Sequence, residues 1–320
     1  MLTSRRLQPP PDLLTVVSQK GATSVPPGVQ ALADKLLMDY GNHAEAIIFY
    51  GSCLRTGDEF EGLVDLYVLV GSYQALAGNW TKAILYMVLP PTVYYLEIPF
   101  QERIIRCKYS VITLADFQRG TSKPWFHSYL WGRFAQPTGV LYVRNDLIAA
   151  KVYAALAQAV LTFILRVYPL LPEKFDARIL WQEGLRYSYR AELRAEKPDT
   201  VTRLFDADPG YYEQVTQITM KLISASSEGI RCGKSIEYHV RTSARKRFSN
   251  QFAWFFRRIQ GKVLSVMRLF KGMLTFQGGI DYLLWKISRH SGSLSQAPKH
   301  HPGLAKIVTL WRFYCRGAFR

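Results

Sequence analysis

Two short apolar runs on either side of a glycine–serine turn constrain this chain most. Ala46-Ile47-Ile48-Phe49-Tyr50 breaks at Gly51-Ser52, and Leu63 to Val70 (LVDLYVLV) is β-branched and apolar except for Asp65. Short runs of this kind, bounded by turn residues, read as buried strands. A polar, acidic loop through Glu61 joins them. The pair predicts a strand–loop–strand unit with one carboxylate on its second strand.

The flanking sequence predicts the rest. Val29 to Tyr40 and Asn79 to Leu89 carry apolar residues at helical spacing, and Val93 to Leu96 and Arg103 to Thr113 read as strands. Leu114 to Arg119 and Pro124 to Phe134 look helical. Strands interspersed with helices over 29–145 argue for an α+β domain with a mixed sheet. Asn145 suits the N-cap of a long helix to about Tyr168, ended by Pro169 and Pro172. Arg178 to Glu196 and Tyr211 to Ser224 continue a mostly helical domain over 146–240. Residues 1–28, rich in proline and polar residues, are expected to be a flexible N-terminus, with no apolar core of a secretory signal. The uncharged stretch Val152 to Leu165 is shorter than the roughly 20 residues of a membrane span, so it is expected to be a buried helix. The four cysteines are scattered and form no CxxC pair, which gives neither a zinc site nor a disulfide framework.

Charge is distributed unevenly. The formal charge is +17, yet from Gly229 onward 18 Lys and Arg face only Glu237 and Asp281, leaving about +1 for the first 228 residues. Such asymmetry implies a polyanionic partner for region 241–320, either a lipid surface or a nucleic acid. In GKVLSVMRLFKGMLTF, Val263, Met267, Phe270 and Leu274 share one helical face, with Lys262, Arg268 and Lys271 towards another. Arg257 and Arg258 precede them. A basic amphipathic helix with aromatics lies at a membrane interface and is drawn to anionic lipid. A helix packed on the protein core would carry a similar pattern. On the membrane reading, deleting Gln251 to Gly292 removes vesicle binding and leaves the first domain folded.

Gly51-Ser52, twelve residues and then Asp65 resembles the signature of polymerase-β-type nucleotidyltransferases. Glycine admits a triphosphate close to the backbone. A serine hydroxyl and neighbouring amides can cradle phosphate oxygens. A strand carboxylate can bind Mg²⁺, which keeps waters and bridges substrate phosphates. An ordinary turn with a satisfied strand aspartate would look the same. The superfamily has a second acid on this strand, separated from the first by one residue, where this chain has Tyr67. Glu97, in VYYLE, is the candidate for a further metal-binding carboxylate, and also suits a strand-end surface residue.

Further blocks narrow the resemblance. Tyr50 to Ser52 (YGS), VYY at Val93 to Tyr95, KYSVIT at Lys108 to Thr113, WGRFAQP at Trp131 to Pro137, and LPEKF with SYRAELR at Leu171 to Arg194 follow in order. KVLSVMRLFKGML and IDYLLWKISRHSG complete the series. Together they resemble the mitochondrial-type phosphatidate cytidylyltransferases (CDP-diacylglycerol synthases) over about residues 45–290. Cys53, Gln136, Ala191 and Glu192 depart from the family pattern, which has Gly, Lys, Gly and Asp there.

The resemblance implies CTP and phosphatidate as substrates, Mg²⁺ as cofactor, and CDP-diacylglycerol and pyrophosphate as products. It implies Asp65 and Lys108 as catalytic residues, with Asp65 on the metal. Tyr50, Gly51, Ser52, Arg133, Ser188, Tyr189 and Arg194 would bind nucleotide. Ion pairs with Glu192 or Glu183 are the competing explanation for the arginines of these blocks. The place is a peripheral one, on the cytoplasmic face of a bacterial inner membrane or the matrix side of the mitochondrial inner membrane. A single acid suits this chemistry. A phosphate monoester, with a second pKa of about 6, arrives as an oxyanion and needs charge neutralisation more than a base. Transfer to RNA would ask for more activation of a hydroxyl, so a nucleic-acid partner is disfavoured. A catalytically degenerate lipid- or nucleic-acid-binding module is the non-enzyme alternative.

Overall fold

The computed structural model describes residues 8–60, 62–77, 80–192, 198–223, 230–232 and 235–275. Arg194, the IDYLLWKISRHSG block and everything else beyond 275 lie outside the described residues. The chain begins with α1 (Pro11–Gly21), α2 (Pro27–Tyr40) and β1 (Ala44–Tyr50). The short α3 (Ser52–Thr56) leads to β2 (Val64–Val70), α4 (Tyr73–Ala77) and α5 (Trp80–Met87). Then come β3 (Thr92–Phe100), β4 (Arg103–Thr113), α6 (Leu114–Thr121), α7 (Trp131–Phe134) and β5 (Gly139–Val143). The helical part contains α8 (Asp146–Val167), β6 (Lys174–Phe175), α9 (Ala177–Arg190), α10 (Pro198–Asp206) and α11 (Pro209–Ile223). A hairpin of β7 (Ile230–Cys232) and β8 (Ser235–His239) precedes the long α12 (Ala244–Thr275).

The α+β class expected from the sequence is what forms. The main sheet has five strands in the order β3-β4-β2-β1-β5; β2 and β4 run parallel and the other neighbours antiparallel. Its central strands are apolar on both faces because both faces are covered. Val29, Leu32, Ala33 and Leu36 of α2 pack on Ile47, Phe49, Leu66 and Val68. The opposite face presents Ala46, Ile48, Tyr50, Tyr67 and Leu69 to the helical layer built around α8. Strand alternation puts Asp65 on this second face, two residues before Tyr67. Buried Glu59 fixes α2 from outside. Its carboxylate accepts from the Gly28 and Val29 amides at 2.7 and 3.1 Å, meeting donors that a helix start leaves unpaired.

Three expectations change. Residues 1–28 were expected to be flexible, but Pro11–Gly21 forms a helix whose Leu13 and Val17 enter the core. Pro11 suits the first helical turn, where its missing N–H costs nothing. Second, a single apolar cluster runs from Leu13 through Tyr67 and α8 to Trp254, so no break in the core falls at the boundary expected near 145. Helix α8 starts at the predicted Asn145 cap, whose side chain accepts from Ile148 N at 3.0 Å. By length and composition residues 146–170 could cross a bilayer, yet Val152, Leu156, Val160 and Ile164 are wholly buried in the protein.

Third, α12 is not an appendage. Trp254 Nε1 donates to the Arg166 carbonyl at 3.0 Å, and Arg257 Nε to the Phe126 carbonyl at 2.8 Å. Arg257 is 0 % exposed, among Phe126, Trp131 and Trp254, and so is not a membrane-facing cation. Burial and the nearby Arg166 push its pKa down to about 9. Lys271 is buried too, donating to the carbonyls of Val88 and Tyr86; burial and Arg268 push it down to about 8. Arg258 and Lys262 remain exposed. Deleting from Gln251 would therefore remove core residues, contrary to the expectation of a separable tail.

Gly261 makes this docking possible, since a Cβ there would lie 1.9 Å from the Ala191 carbonyl oxygen. Gly261→Ala is therefore expected to cost about 3 kcal/mol or more, at the severe end for overpacking. Gly210→Ala in α11, with nothing within 4 Å, is the control. Urea melts of both variants test this; equal midpoints would refute the close docking of α12.

Candidate functional site

The site grows from the end of β1. Gly51 has φ +96°, and a Cβ there would lie 2.6 Å from Asp65 Oδ2. Glycine is therefore required twice, by its positive φ and by the carboxylate against it. Ser52 follows at the exposed start of α3. The register places Tyr50 opposite Asp65 and Asp65 beside Lys108, with Tyr95 opposite Lys108. Lys108 Nζ meets Asp65 Oδ1 at 2.9 Å. Asp65 is the main cause holding the lysine above its ordinary pKa, against the opposing effect of burial. Burial, with Asp65 adding to it, pushes the Tyr50 phenol up to about 12.

Arg133 lies beside this group. Its Nη1 donates to the hydroxyls of Tyr50 and Tyr129, each at 3.3 Å, and its Nη2 meets Glu192 Oε2 at 3.2 Å. Both charged side chains are buried. Burial alone would lower the Arg133 pKa; Tyr129, Tyr50, Tyr67 and Glu192 more than offset it, and the guanidinium stays charged. Tyr67, at the position of the second acid in the superfamily, is wholly buried, its ring edge-on to Tyr50 and Phe134. Burial holds it protonated.

The predicted residues separate into two groups. Tyr50, Gly51, Asp65, Lys108 and Arg133 converge, with Ser52 next in the chain. Glu97 does not join them: it lies on the edge strand β3, 3.4 Å from Arg106 Nε, and accepts from the Tyr95 hydroxyl at 2.9 Å. Ser188 and Tyr189 serve helix packing. Ser188 Oγ fills the space above Gly132, and Tyr189 donates to Gln136 Oε1 at 3.3 Å. The competing ion-pair explanation holds for two arginines, Arg133 with Glu192 and Arg186 with Glu183. Cys53 is buried, and its thiol is pushed up to about 12, chiefly by burial.

Sequence reasoning did not single out Tyr129 and expected Arg268 to face a membrane. Arg133 and Arg268 stand 4.4 and 4.1 Å from the centre of the Tyr129 ring. Tyr129 and Arg133 are four apart, the spacing of one helical turn, whereas no spacing rule reaches Arg268, far along the chain. His127 is 3 % exposed, accepting at Nδ1 from the Tyr129 amide at 3.2 Å.

A metal fits this donor set only in part. Among the described residues no group of three or more His, Cys, Asp or Glu gathers. Mg²⁺ needs fewer protein ligands, since one or two carboxylates and substrate phosphates suffice. Asp65 alone would hold it, and Lys108 occupies that carboxylate here.

No family model matches the chain, and no curated protein does. Among solved structures, a nucleotidyltransferase-like protein from Exiguobacterium sibiricum 255-15 is similar at 14 % identity, over 90 % of this chain and 91 % of that one. Its TM-score is 0.27, and a likeness so loose carries no argument. The family resemblance therefore rests on the ordered sequence blocks.

The burial of His127 has a pH signature. Burial first, then Arg268 and Arg133, pushes its pKa down to about 3 from the usual 6.5. The unfolded chain takes up this proton below about 6.5 and the folded chain does not, so stability is full above that pH and falls as pH drops towards 3. His127→Asn is expected to lose less stability than wild type between pH 7 and pH 5, measured as the shift in urea midpoint. Parallel losses would show an exposed histidine.

Proposed function

We propose that this protein is a nucleotidyltransferase of the phosphatidate cytidylyltransferase kind, acting on CTP and phosphatidate at a membrane surface. The observation that carries this reading is the close seating of Asp65 on Gly51, with Lys108 and Arg133 around it. A backbone that a phosphate chain can approach, one carboxylate and two cations meet at one strand end.

The division of work follows from the chemistry. Gly51 and Ser52 would hold the triphosphate. Lys108 and Arg133 would neutralise phosphoryl oxygens and align the acceptor; a monoester dianion needs no general base. Burial keeps the Tyr50 and Tyr67 phenols protonated; burial would raise Tyr129 too, but Arg133 and Arg268 bring it below its ordinary value. Mg²⁺, held by Asp65 and the nucleotide's own phosphates, would offset charge on the transferring and leaving groups.

The outer face of α12 supports a membrane setting. Phe248, Phe252, Phe255, Phe256, Ile259 and Val263 are all exposed and recur at helical spacing, with Arg258 and Lys262 exposed among them. The membrane contact is thus proposed for the aromatic stripe and these two cations. The place is peripheral, on the cytoplasmic face of a bacterial inner membrane or the matrix side of the mitochondrial one.

One observation favours a second reading, a catalytically degenerate binding module: Asp65 is engaged by Lys108, and among the described residues no further acid joins it in a metal-binding group. Pyrophosphate release separates the two. CTP, Mg²⁺ and phosphatidate vesicles together are expected to give release, and Asp65→Asn to reduce it at least about a thousandfold, the loss of metal-assisted charge stabilisation, in a variant that circular dichroism shows still folded at the assay temperature. No release from wild type supports the binding module. The double variant Phe252→Ser/Phe256→Ser is expected to weaken co-sedimentation with anionic vesicles about tenfold, the transfer free energy of two half-exposed rings being more than sufficient. Undiminished binding would remove the stripe from the membrane contact.

A further inference from the structure

Away from α12, exposed apolar side chains gather on α5. Trp80 is 68 % exposed, and Ile84, Met87 and Val88 are exposed with it. Their spacing of four, three and one puts all four on one side of the helix. The other side is fixed to the protein. Ala83 is buried, the Tyr86 hydroxyl meets that of Tyr94 on β3 at 2.8 Å, and the Tyr86 ring stacks on Tyr73. A tryptophan and three aliphatic side chains facing water from two helical turns form a patch of the kind that marks a contact.

Helix α12 holds the end of α5. Lys271 Nζ donates to the Val88 carbonyl at 2.8 Å, and at longer range to those of Tyr86 and Leu89, at 3.4 and 3.5 Å. A helix C-terminus leaves such carbonyls without partners, and a cation suits their partial negative charge. Arg268 Nη2 reaches the Pro90 carbonyl just beyond, at 3.4 Å. Met267 lies one turn before Lys271 on the same side of α12, and is exposed as the last of the apolar stripe. The stripe of α12 thus runs up to the end of α5, and the two helices are tied where it does.

Charge selects the partner. No Asp or Glu occurs between Asp65 and Glu97, or between Glu237 and Asp281, so neither helix carries an acid. Helix α12 carries eight Lys and Arg, among which Arg245, Lys246, Arg258 and Lys262 are exposed. An apolar face framed by cations alone, with a tryptophan at one end, matches a bilayer with anionic headgroups, where indoles rest at headgroup depth.

We infer, resting on the membrane contact proposed for α12, that α5 is a second membrane-inserting element. Its face of Trp80, Ile84, Met87 and Val88 enters the same anionic bilayer surface as the outer stripe of α12, with Lys271 as the joint between them. Two apolar faces on a folded frame need no ordering when they bind. They also fix the orientation of the protein on lipid, which one helix, able to roll about its axis, does not.

Vesicles of phosphatidylcholine and phosphatidylglycerol in equal parts test this with the full-length protein. In co-sedimentation, Ile84→Gln/Met87→Gln, whose glutamines keep the helix propensity, is expected to bind about tenfold more weakly than wild type, two aliphatic side chains no longer leaving water. Leu147→Gln, an exposed leucine just after β5 at the opposite edge of the sheet from β3, should match wild type. Brominated phosphatidylcholine in the vesicles should quench indole fluorescence in wild type, and quench a smaller share of it in Trp80→Phe. No vesicle binding by wild type overturns the membrane reading and this contact with it. Binding that falls with Phe252→Ser/Phe256→Ser but not with Ile84→Gln/Met87→Gln, or equal quenching in wild type and Trp80→Phe, overturns the α5 contact alone. A dimer in wild type that Ile84→Gln/Met87→Gln dissociates, read by sedimentation without lipid, gives the face to a second copy and overturns it too. If Ile84→Gln/Met87→Gln melts early, the quenching of Trp80→Phe carries the comparison.

Discussion

A buried guanidinium must gather acceptors around it, and in this protein Arg133 gathers them from three parts of the chain. It reaches Tyr50 at the end of β1, Tyr129 in the loop before α7 and Glu192 just after α9, and Arg268 of α12 lies against the same Tyr129 ring. Removing one partner of a buried pair leaves the other charge stranded, at about 3–5 kcal/mol. The position of Arg133 is thereby fixed by the same contacts that hold the helical layer over the sheet. Site and scaffold share one interaction.

That arrangement bears on the chemistry. A protein site for two polyanions has to supply positive charge without collapsing when it is empty. Arg133 is held by Glu192, and Lys108 by Asp65, so under the proposed transferase function each carboxylate would release its cation when a phosphate arrives. The carboxylate freed from Lys108 is the one that a metal would need. A single acid on β2, with Tyr67 where a second would stand, then matches a nucleophile that carries its own negative charge.

Helix α12 unites roles that its sequence could not separate. Its inner face places Trp254 and Arg257 in the core and Arg268 on Tyr129, while its outer face exposes a line of aromatics. Gly261 allows the approach, because any side chain there would strike the Ala191 carbonyl. The cations expected to face lipid divide accordingly: Arg257 and Lys271 are inside, and Arg258 and Lys262 outside.

The sequence by itself determined the elements whose physics is local. The apolar runs made β1 and β2, Asn145 capped α8, and the glycine before Ser52 marked the turn that Asp65 packs against. It also determined that the carboxylate on β2 would be alone. Only the tertiary structure decided which charges meet. Whether Glu97 joined Asp65 depended on strand order, and β4 came between them. Whether Ser188 touched a ligand or a helix depended on Gly132. Whether Arg257 and Arg268 faced lipid or protein depended on the rotation of α12, because an amphipathic pattern tells only that a helix has two faces, and the partner of each face is set by what the rest of the chain leaves uncovered.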